Sequence, residues 1–192
     1  MSAVEDPIDA RRFRNTLSRF ASGVVVVSGM VGQRPVGLAV QSFFSVSLDP
    51  PLVAISPSVG SGSWQDIAST GRFAVTVLGE DQRDLCLVFG RSGPHDRFSA
   101  TAWHTSPSGN PLVDGALAWL DCDVDAVHPT GDHLIVVGRV RHMSLGRGDP
   151  LLFFGGRFGG FASHEPVPVA RRADDASDDL FGDAPWLRGV DW

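Results

Sequence analysis

Strand-forming runs follow one another along this sequence without the regular strand–helix–strand alternation that a parallel sheet requires. Val24 to Ser28 is β-branched and too short for a helix, and Gly32-Gln33 supplies a turn into the next strand. Further strands are expected near Val36 to Ser47, Leu52 to Ser56, Phe73 to Leu78, Ala116 to Val127, Leu134 to Met143 and Leu151 to Phe154. Three short helices interrupt them. The first covers Ile8 to Ala21, with Phe13, Leu17 and Phe20 at helical spacing, and ends at Gly23. The second opens at Ser63-Trp64-Gln65-Asp66 with Ser63 as its cap, and the third covers Asp81 to Phe89, aligning Leu85, Val88 and Phe89. The pattern predicts a mainly β, antiparallel barrel with short flanking helices.

A chain of 192 residues, 43% apolar and 20% charged, suits one domain with a real core. From His164 onward Pro, Asp, Ala and Arg prevail, which divides the chain into a domain over 1–163 and an acidic arm over 164–192. Trp186, Leu187 and Trp192 are the arm's candidate anchors. No apolar stretch approaches the roughly 20 residues of a membrane span, and MSAVEDPIDARRF has no signal-like apolar region, so a cytoplasmic protein is expected. The net charge of −6 argues against a nucleic-acid partner. Cys86 and Cys122 sit in apolar surroundings and are expected as buried free thiols. With no cysteine pairs and no ligand spacing among the histidines, no metal site is expected. Neither a Rossmann fingerprint, a P-loop nor a G-x-S-x-G elbow is present.

The segment Gly37 to Ser63, GLAVQSFFSVSLDPPLVAISPSVGSGS, carries the clearest chemistry. Two strand-like stretches flank Asp49-Pro50-Pro51, and serines and glycines follow. A helix cap explains one or two serines, but not Ser56, Ser58 and Ser61 leading into a helix start that already favours an anion. Hydroxyls and backbone N–H groups at that density suit a phosphate, and the apolar strand suits a flat ring, so an FMN-type ligand is expected. No basic residue lies between Arg34 and Arg72, so hydroxyls and backbone must do most of the binding.

Three other motifs each have two readings. Gly131-Asp132-His133 is an ordinary hairpin turn with an exposed histidine, or a rim that presents His133 while Asp132 holds its ring; taken alone, the turn reading prevails. Asp96-Arg97-Phe98 is a loop whose Phe98 plugs the core, or a phosphate-binding arginine with an aromatic face. In FFGGRFGGF, Phe153 reads as core, while Phe154 and Phe158 either pack or wall a pocket.

Together these motifs resemble the short-chain flavin reductases, the reductase components of two-component flavin-dependent monooxygenases. The resemblance spans about Phe13 to Phe161. It rests on RFASGVVVVS, PVGLAVQSFFSVSLDPPLVAIS, GRFAVTVL with DQRDL, HDRF with Trp103, GDHLIVVGRV and PLLFFGGRF, in that order, and is nearest to actinobacterial members. It implies an FMN-binding split β-barrel, antiparallel and Greek-key-like, working as a homodimer with flavin at the subunit interface. Ala39, Val40, Gln41 and Ser42 would line the isoalloxazine, and Ser45, Ser56, Pro57 and Ser58 the ribityl chain. Ser61 and Ser63 would approach the phosphate, while Arg97 and Phe98 close the site. His133, oriented by Asp132, would meet the nicotinamide, with Phe158 where the dinucleotide stacks.

The implied reaction is hydride transfer from NADH or NADPH to FMN or FAD, the reduced flavin then diffusing to a monooxygenase component. Two departures bear on it. Relatives often carry Lys or Arg where this chain has Val59 and Gly62, which implies a weaker phosphate grip. They also often carry tyrosine where this chain has Phe154 and Phe158, and the chain contains no tyrosine. Two other readings remain at this point: a tight FMN protein that reduces its own small substrate, and a non-catalytic flavin or haem carrier.

Overall fold

The Asp49-Pro50-Pro51 break and the glycine turns cut the chain into short antiparallel pieces. The computed structural model describes residues 8–91, 93, 96–99 and 101–163. Helix α1 (Ala10–Leu17) precedes strands β1 (Ser22–Gly23), β2 (Val25–Val31), β3 (Arg34–Val40), β4 (Phe44–Ser47) and β5 (Leu52–Ile55). Helix α2 (Gly62–Ala68), β6 (Arg72–Val77), a 3₁₀ turn at Glu80–Gln82 and α3 (Arg83–Phe89) follow. The chain then forms β7 (Trp103–Thr105), β8 (Pro111–Val113), β9 (Ala118–Thr130), β10 (His133–Leu145), β11 (Leu152–Phe154) and β12 (Arg157–Gly159).

Seven strands make one antiparallel sheet in the order β3-β2-β6-β9-β10-β5-β4. Its two edges, β3 and β4, are joined by Gln41, Ser42 and Phe43 alone. Such a link reaches about 14 Å at most. The sheet must therefore curl until its edges approach, giving a barrel with a seam between β3 and β4. The interior collects Val25, Val27, Val36, Val53, Ile55, Phe73, Val75 and Val136 from around the sheet, with Trp64 and Ile67 of α2 added. Trp64 meets Phe73 edge-on at 5.9 Å.

A second core forms on the outside of β2. Val24 and Val26 pack with Leu78, Phe89, Phe98, Val113 and Leu151, beneath α3 and near the small sheet β1-β11-β12. The run of four valines is thus buried on both faces, which accounts for its lack of polar alternation. Each such side chain contributes about 1.5–3 kcal/mol of burial. The mainly β, antiparallel architecture expected from the sequence is the one observed.

Local differences have identifiable causes. The stretch expected as one strand from Val36 to Ser47 is two, because the chain crosses the seam within it. The first helix is shorter than Ile8 to Ala21. Asp9 caps it by accepting from the Arg12 N–H at 3.1 Å, and none of its residues is buried. Phe13, Leu17 and Phe20 are 52%, 55% and 81% exposed, so the apolar stripe has no core beneath it in a single chain. The cap of α2 is Ser61, not Ser63: Ser61 Oγ accepts from the Trp64 N–H, and the helix starts one residue before Ser63. Strands β1, β7, β8 and β12, of two or three residues each, are too short to carry a period.

Both thiols are buried and free. Burial, followed by the neighbouring Asp121 and Asp123 carboxylates, pushes the Cys122 thiol up to about 12. No helix among the described residues is long and apolar enough to cross a membrane. The expected arm over 164–192, with Trp186, Leu187 and Trp192, lies outside the described residues.

Gly138 marks close packing in the barrel core. A register shift falls between Val137 and Gly138, and a Cβ at Gly138 would run into the ring of fully buried Phe73 and into Cys122. Gly138→Val should destabilise the fold by about 1–3 kcal/mol, the usual cost of overpacking. A urea unfolding midpoint equal to that of the unsubstituted protein would show that the Phe73 ring does not depend on this gap.

Candidate functional site

A cleft of about 1180 Å³ runs along edge strand β3. β3 lines it from Arg34 to Ala39. The serine run contributes Ser58 and Gly60 to Ser63, continuing into Gln65 and Asp66 of α2. The end of α3 and the segment after it contribute Phe89 to Arg91, Gly93, Asp96 to Ser99, and Trp103. One glycine permits this shape. A Cβ at Gly37 would meet Phe89 at 2.7 Å and Phe98 at 3.1 Å, so only glycine lets those rings close against the strand. Phe98 is 3% exposed and makes edge-on contacts with Phe89 at 5.0 Å and Trp103 at 5.8 Å. Both readings of Phe98 hold in part: it plugs the second core and also lines the cleft.

The serine hydroxyls of the run share one arrangement. Ser58 Oγ accepts from the Gly60 N–H at 3.3 Å, Ser61 Oγ from the Trp64 N–H at 3.3 Å, and Ser63 Oγ from Arg97 Nη1 at 3.1 Å. A hydroxyl whose oxygen accepts a protein hydrogen bond keeps its proton to donate. Three such donors beside flexible glycines suit an anion. Ser42 differs. Its hydroxyl donates to the Ser56 carbonyl at 3.1 Å and accepts from the Ser56 N–H at 2.9 Å, so it clips the seam to the end of β5.

Arg97 supplies a cation that sequence distance hides from the serine run. It is 8% exposed, and its Nη2 donates to the Arg91 and Gly93 carbonyls. Burial lowers its pKa from the usual arginine range, yet a guanidinium stays charged at any ordinary pH. Its buried Nε has no hydrogen-bond partner among the described residues. An orphaned donor of that kind costs about 1–3 kcal/mol. A guanidinium in the cleft wall, beside hydroxyls that keep their protons to donate, fits a phosphorylated ligand.

His133 borders the cleft through Ser58. The two residues form a β-bridge, the Val59 N–H donates to the Asp132 carbonyl at 3.0 Å, and the Leu134 N–H donates to the Pro57 carbonyl at 2.9 Å. The start of β10 is therefore stitched to the serine run. His133 Nδ1 lies 2.8 Å from Asp132 Oδ1, which fixes the ring and leaves Nε2 for another partner. The hydrogen bond from His133, and then its charge, hold the Asp132 carboxyl below the usual aspartate value.

Of the residues singled out in the sequence, Ala39, Ser58, Ser61, Ser63, Arg97 and Phe98 line the cleft. Val40 packs against the barrel core, and Pro57 is buried with Ser56 half-buried at the end of β5. Gln41 and Ser45 are exposed, one in the seam link and one on β4. Phe158 stands apart, in β12, edge-on to Phe153 at 5.2 Å, with the Arg83 guanidinium 5.8 Å from its ring. Phe154 is exposed and does not line the cleft. Sequence reasoning missed Arg34, Gln65, Asp66 and Arg91 as lining residues. Only Arg34 carried a signal, as the last cation before a long stretch without one.

The depressed Asp132 pKa makes its bond to His133 testable. Its stabilising effect is present at neutral pH and is lost as pH falls through the Asp132 pKa. An NMR titration should find the Asp132 carboxyl below its ordinary value, and His133→Ala should move it back up toward that value. An Asp132 pKa that is the same with and without His133 would mean that the pair does not form in solution.

The comparisons agree with this geometry. The model of the flavin reductase like domain matches residues 17–162. The reductase subunit HsaB of a flavin-dependent monooxygenase from Rhodococcus jostii is 42% identical over 170 residues, covering 88% of this chain and 87% of that one. The FMN reductase (NADH) SmoA of Agrobacterium fabrum is 42% identical over 154 residues, covering 80% and 87%. The NADH:FAD oxidoreductase SgcE6 of Streptomyces globisporus, solved in complex with NAD and FAD fragments, superposes with a TM-score of 0.78 at 34% identity, covering 86% of this chain and all of that one. With the strand order, the serine run and the His133 turn on the same chain, this protein belongs to the flavin reductase like domain family.

Proposed function

We propose that the protein is an NAD(P)H:flavin oxidoreductase that hands reduced flavin to a flavin-dependent monooxygenase component. The observation that carries this reading is the set of three proton-bearing serine hydroxyls beside a buried Arg97 whose Nε is unpartnered. NADH is the proposed donor, because two of the relatives above are named for it. The reductase domain is assigned to 1–163, with 164–192 as a separate arm.

A bound flavin supplies the hydride acceptor and a reduced nicotinamide the hydride. The protein then has only positioning and exclusion to perform. Ser58, Ser61, Ser63 and Arg97 would hold the phosphate by donated hydrogen bonds. Ala39, Val40, Gln41 and Ser42 would face the ring, Ser42 acting through the Ser56 backbone it clips. Ser45, Ser56 and Pro57 would follow the ribityl chain. His133, its Nδ1 held by Asp132, would offer Nε2 to the nicotinamide, and Phe158 would stack on the dinucleotide.

A homodimer is part of the proposal. Phe44, Val46 and Leu48 around β4 are 51%, 42% and 80% exposed, and β9–β10 exposes Val127, Ile135, Met143 and Leu145. So much apolar surface beside an open sheet edge calls for cover. Sedimentation at micromolar protein should find a dimer, and a monomer in the presence of flavin would count against it.

Initial rates with NADH and NADPH, each against FMN, FAD and riboflavin, test the activity. Loss of 340 nm absorbance should require flavin, and its absence under every combination would overturn the reading. In anaerobic stopped-flow, His133→Ala should slow flavin reduction by about tenfold to a hundredfold, on the order of 1–3 kcal/mol, with little change in flavin affinity. Unchanged reduction kinetics would remove His133 from the mechanism.

A further inference from the structure

Strands β7 and β8, of three residues each, form a hairpin too small to hold its own shape, since a two-stranded ribbon is at best marginally stable in water. It nevertheless carries Trp103 into the wall of the cleft, where the indole meets Phe98 edge-on at 5.8 Å. Cross-strand pairing sets Trp103 opposite Val113 and Thr105 opposite Pro111. Whatever fixes the turn from Ser106 to Asn110 therefore fixes Trp103 as well.

A buried carboxyl from outside the hairpin holds that turn. Asp121 of β9 is fully buried; its Oδ1 accepts from Asn110 Nδ2 at 2.7 Å and its Oδ2 from the Ser108 N–H at 3.0 Å. None of the ion pairs found among the described residues includes Asp121. Taking a carboxyl group out of water with no cation beside it is costly, and these two donors are its compensation. Asn110 is buried too, its N–H donating to Ser106 Oγ at 2.9 Å and its carbonyl accepting from the Ser106 N–H at 2.8 Å. One residue on, Ser28 Oγ of β2 donates to the Pro111 carbonyl. At the open end of the hairpin His104 meets Asp114, but both side chains are about half exposed and set position less firmly.

From Trp103 the contacts run on to the strand. Phe98 meets Phe89 at 5.0 Å, and both rings fill the gap that Gly37 leaves in β3. Asp121 itself does not line the cleft. We propose that Asp121 is a positioning residue: by locking the turn from Ser106 to Asn110 it seats Trp103 on Phe98 and keeps the aromatic wall closed against β3. An apolar side chain could fill the same space, but only directional bonds distinguish one seating of the hairpin from another. The inference rests on the flavin reading above for its ligand readout alone.

The test compares the unsubstituted protein with Asp121→Asn, Asn110→Ala and the exchanged pair Asn110→Asp/Asp121→Asn. Asp121→Asn turns one acceptor into a donor facing a donor, whereas the exchanged pair restores both bonds with amide and carboxyl on opposite sides. Three quantities are read: the urea midpoint, the Trp103 indole N–H resonance without ligand, and the FMN dissociation constant with kcat and the KM values for FMN and NADH. Trp103→Phe assigns the resonance, and buried Trp64 in the barrel core serves as its internal reference. Asp121→Asn should move the Trp103 resonance and leave that of Trp64 in place. It should raise the dissociation constant and KM for FMN about tenfold, with kcat changed less than about twofold and KM for NADH unchanged. The exchanged pair should return both the resonance and the FMN affinity most of the way. A folded Asp121→Asn protein with an unmoved Trp103 resonance or unchanged FMN affinity would overturn the inference. So would an exchanged pair that restores the urea midpoint alone, which would leave Asp121 a stabilising residue only. Should Asp121→Asn not fold, Asn110→Ala keeps the carboxyl and removes one donor, and an unmoved Trp103 resonance there would be equally decisive against it. If the unsubstituted protein binds no flavin, the proposed function fails, while the indole resonance still decides the role of Asp121.

Discussion

Gln41, Ser42 and Phe43 carry the chain from one edge of a seven-stranded sheet to the other, and the position of the site follows from that short link. Because the edges must approach, the end of β3 and the end of β5 become neighbours. Ser42 secures the junction with a donated and an accepted hydrogen bond to Ser56. The serine run leaves β5 at that point, so its hydroxyls arrive beside β3. Edge strands normally invite unwanted pairing. Here α2 and α3 both pack against β3, and the space they leave beside it is the cleft.

The cleft replaces one strong cation in the serine run with a division of labour. No Lys or Arg stands between Arg34 and Arg72, and the charge beside the serine run comes from Arg97, 34 positions beyond Ser63. Arg97 is held by two carbonyls and by Ser63, so its position is set before any ligand arrives. Ser58, Ser61 and Ser63 each accept from a protein N–H, which leaves the hydroxyl proton to donate. Such preorganised donors give orientation without the depth of binding that a salt-bridged phosphate would give. A reductase that must release its flavin benefits from that balance.

The sequence was legible where its signals are local or repeated. Strand-length β-branched runs, glycine turns and the Asp49-Pro50-Pro51 break give the sheet's pieces, and the Gly131-Asp132-His133 turn lies where the chain pattern put it. Two kinds of information were not legible. Capping depends on which serine reaches a particular N–H, so Ser61 and Ser63 exchange roles within a run that offers both. Long-range pairing leaves no trace in spacing: nothing near Arg34 announces Asp66, and nothing near Ser63 announces Arg97. The family resemblance supplied Arg97 where the residues alone left its two readings even. It did not supply Arg34 or Asp66, which meet only when β3 and α2 lie side by side, or Arg91, which the end of α3 brings to the same cleft.

A single chain also leaves the two ends of the proposed site unequal. The phosphate end is enclosed, with Arg97 buried and Phe98 closed over the core. The ring end is open, since Gln41, Ser45 and His133 are all exposed. Hydride transfer needs close stacking and little water, which an open end cannot provide. The exposed Phe44, Val46 and Leu48 flank that same end, along β4 and the turn after it. In the proposed dimer, one contact would bury these side chains and close the ring end together. Activity would then depend on assembly, while phosphate recognition would survive in the separated chain because its donors all come from within it.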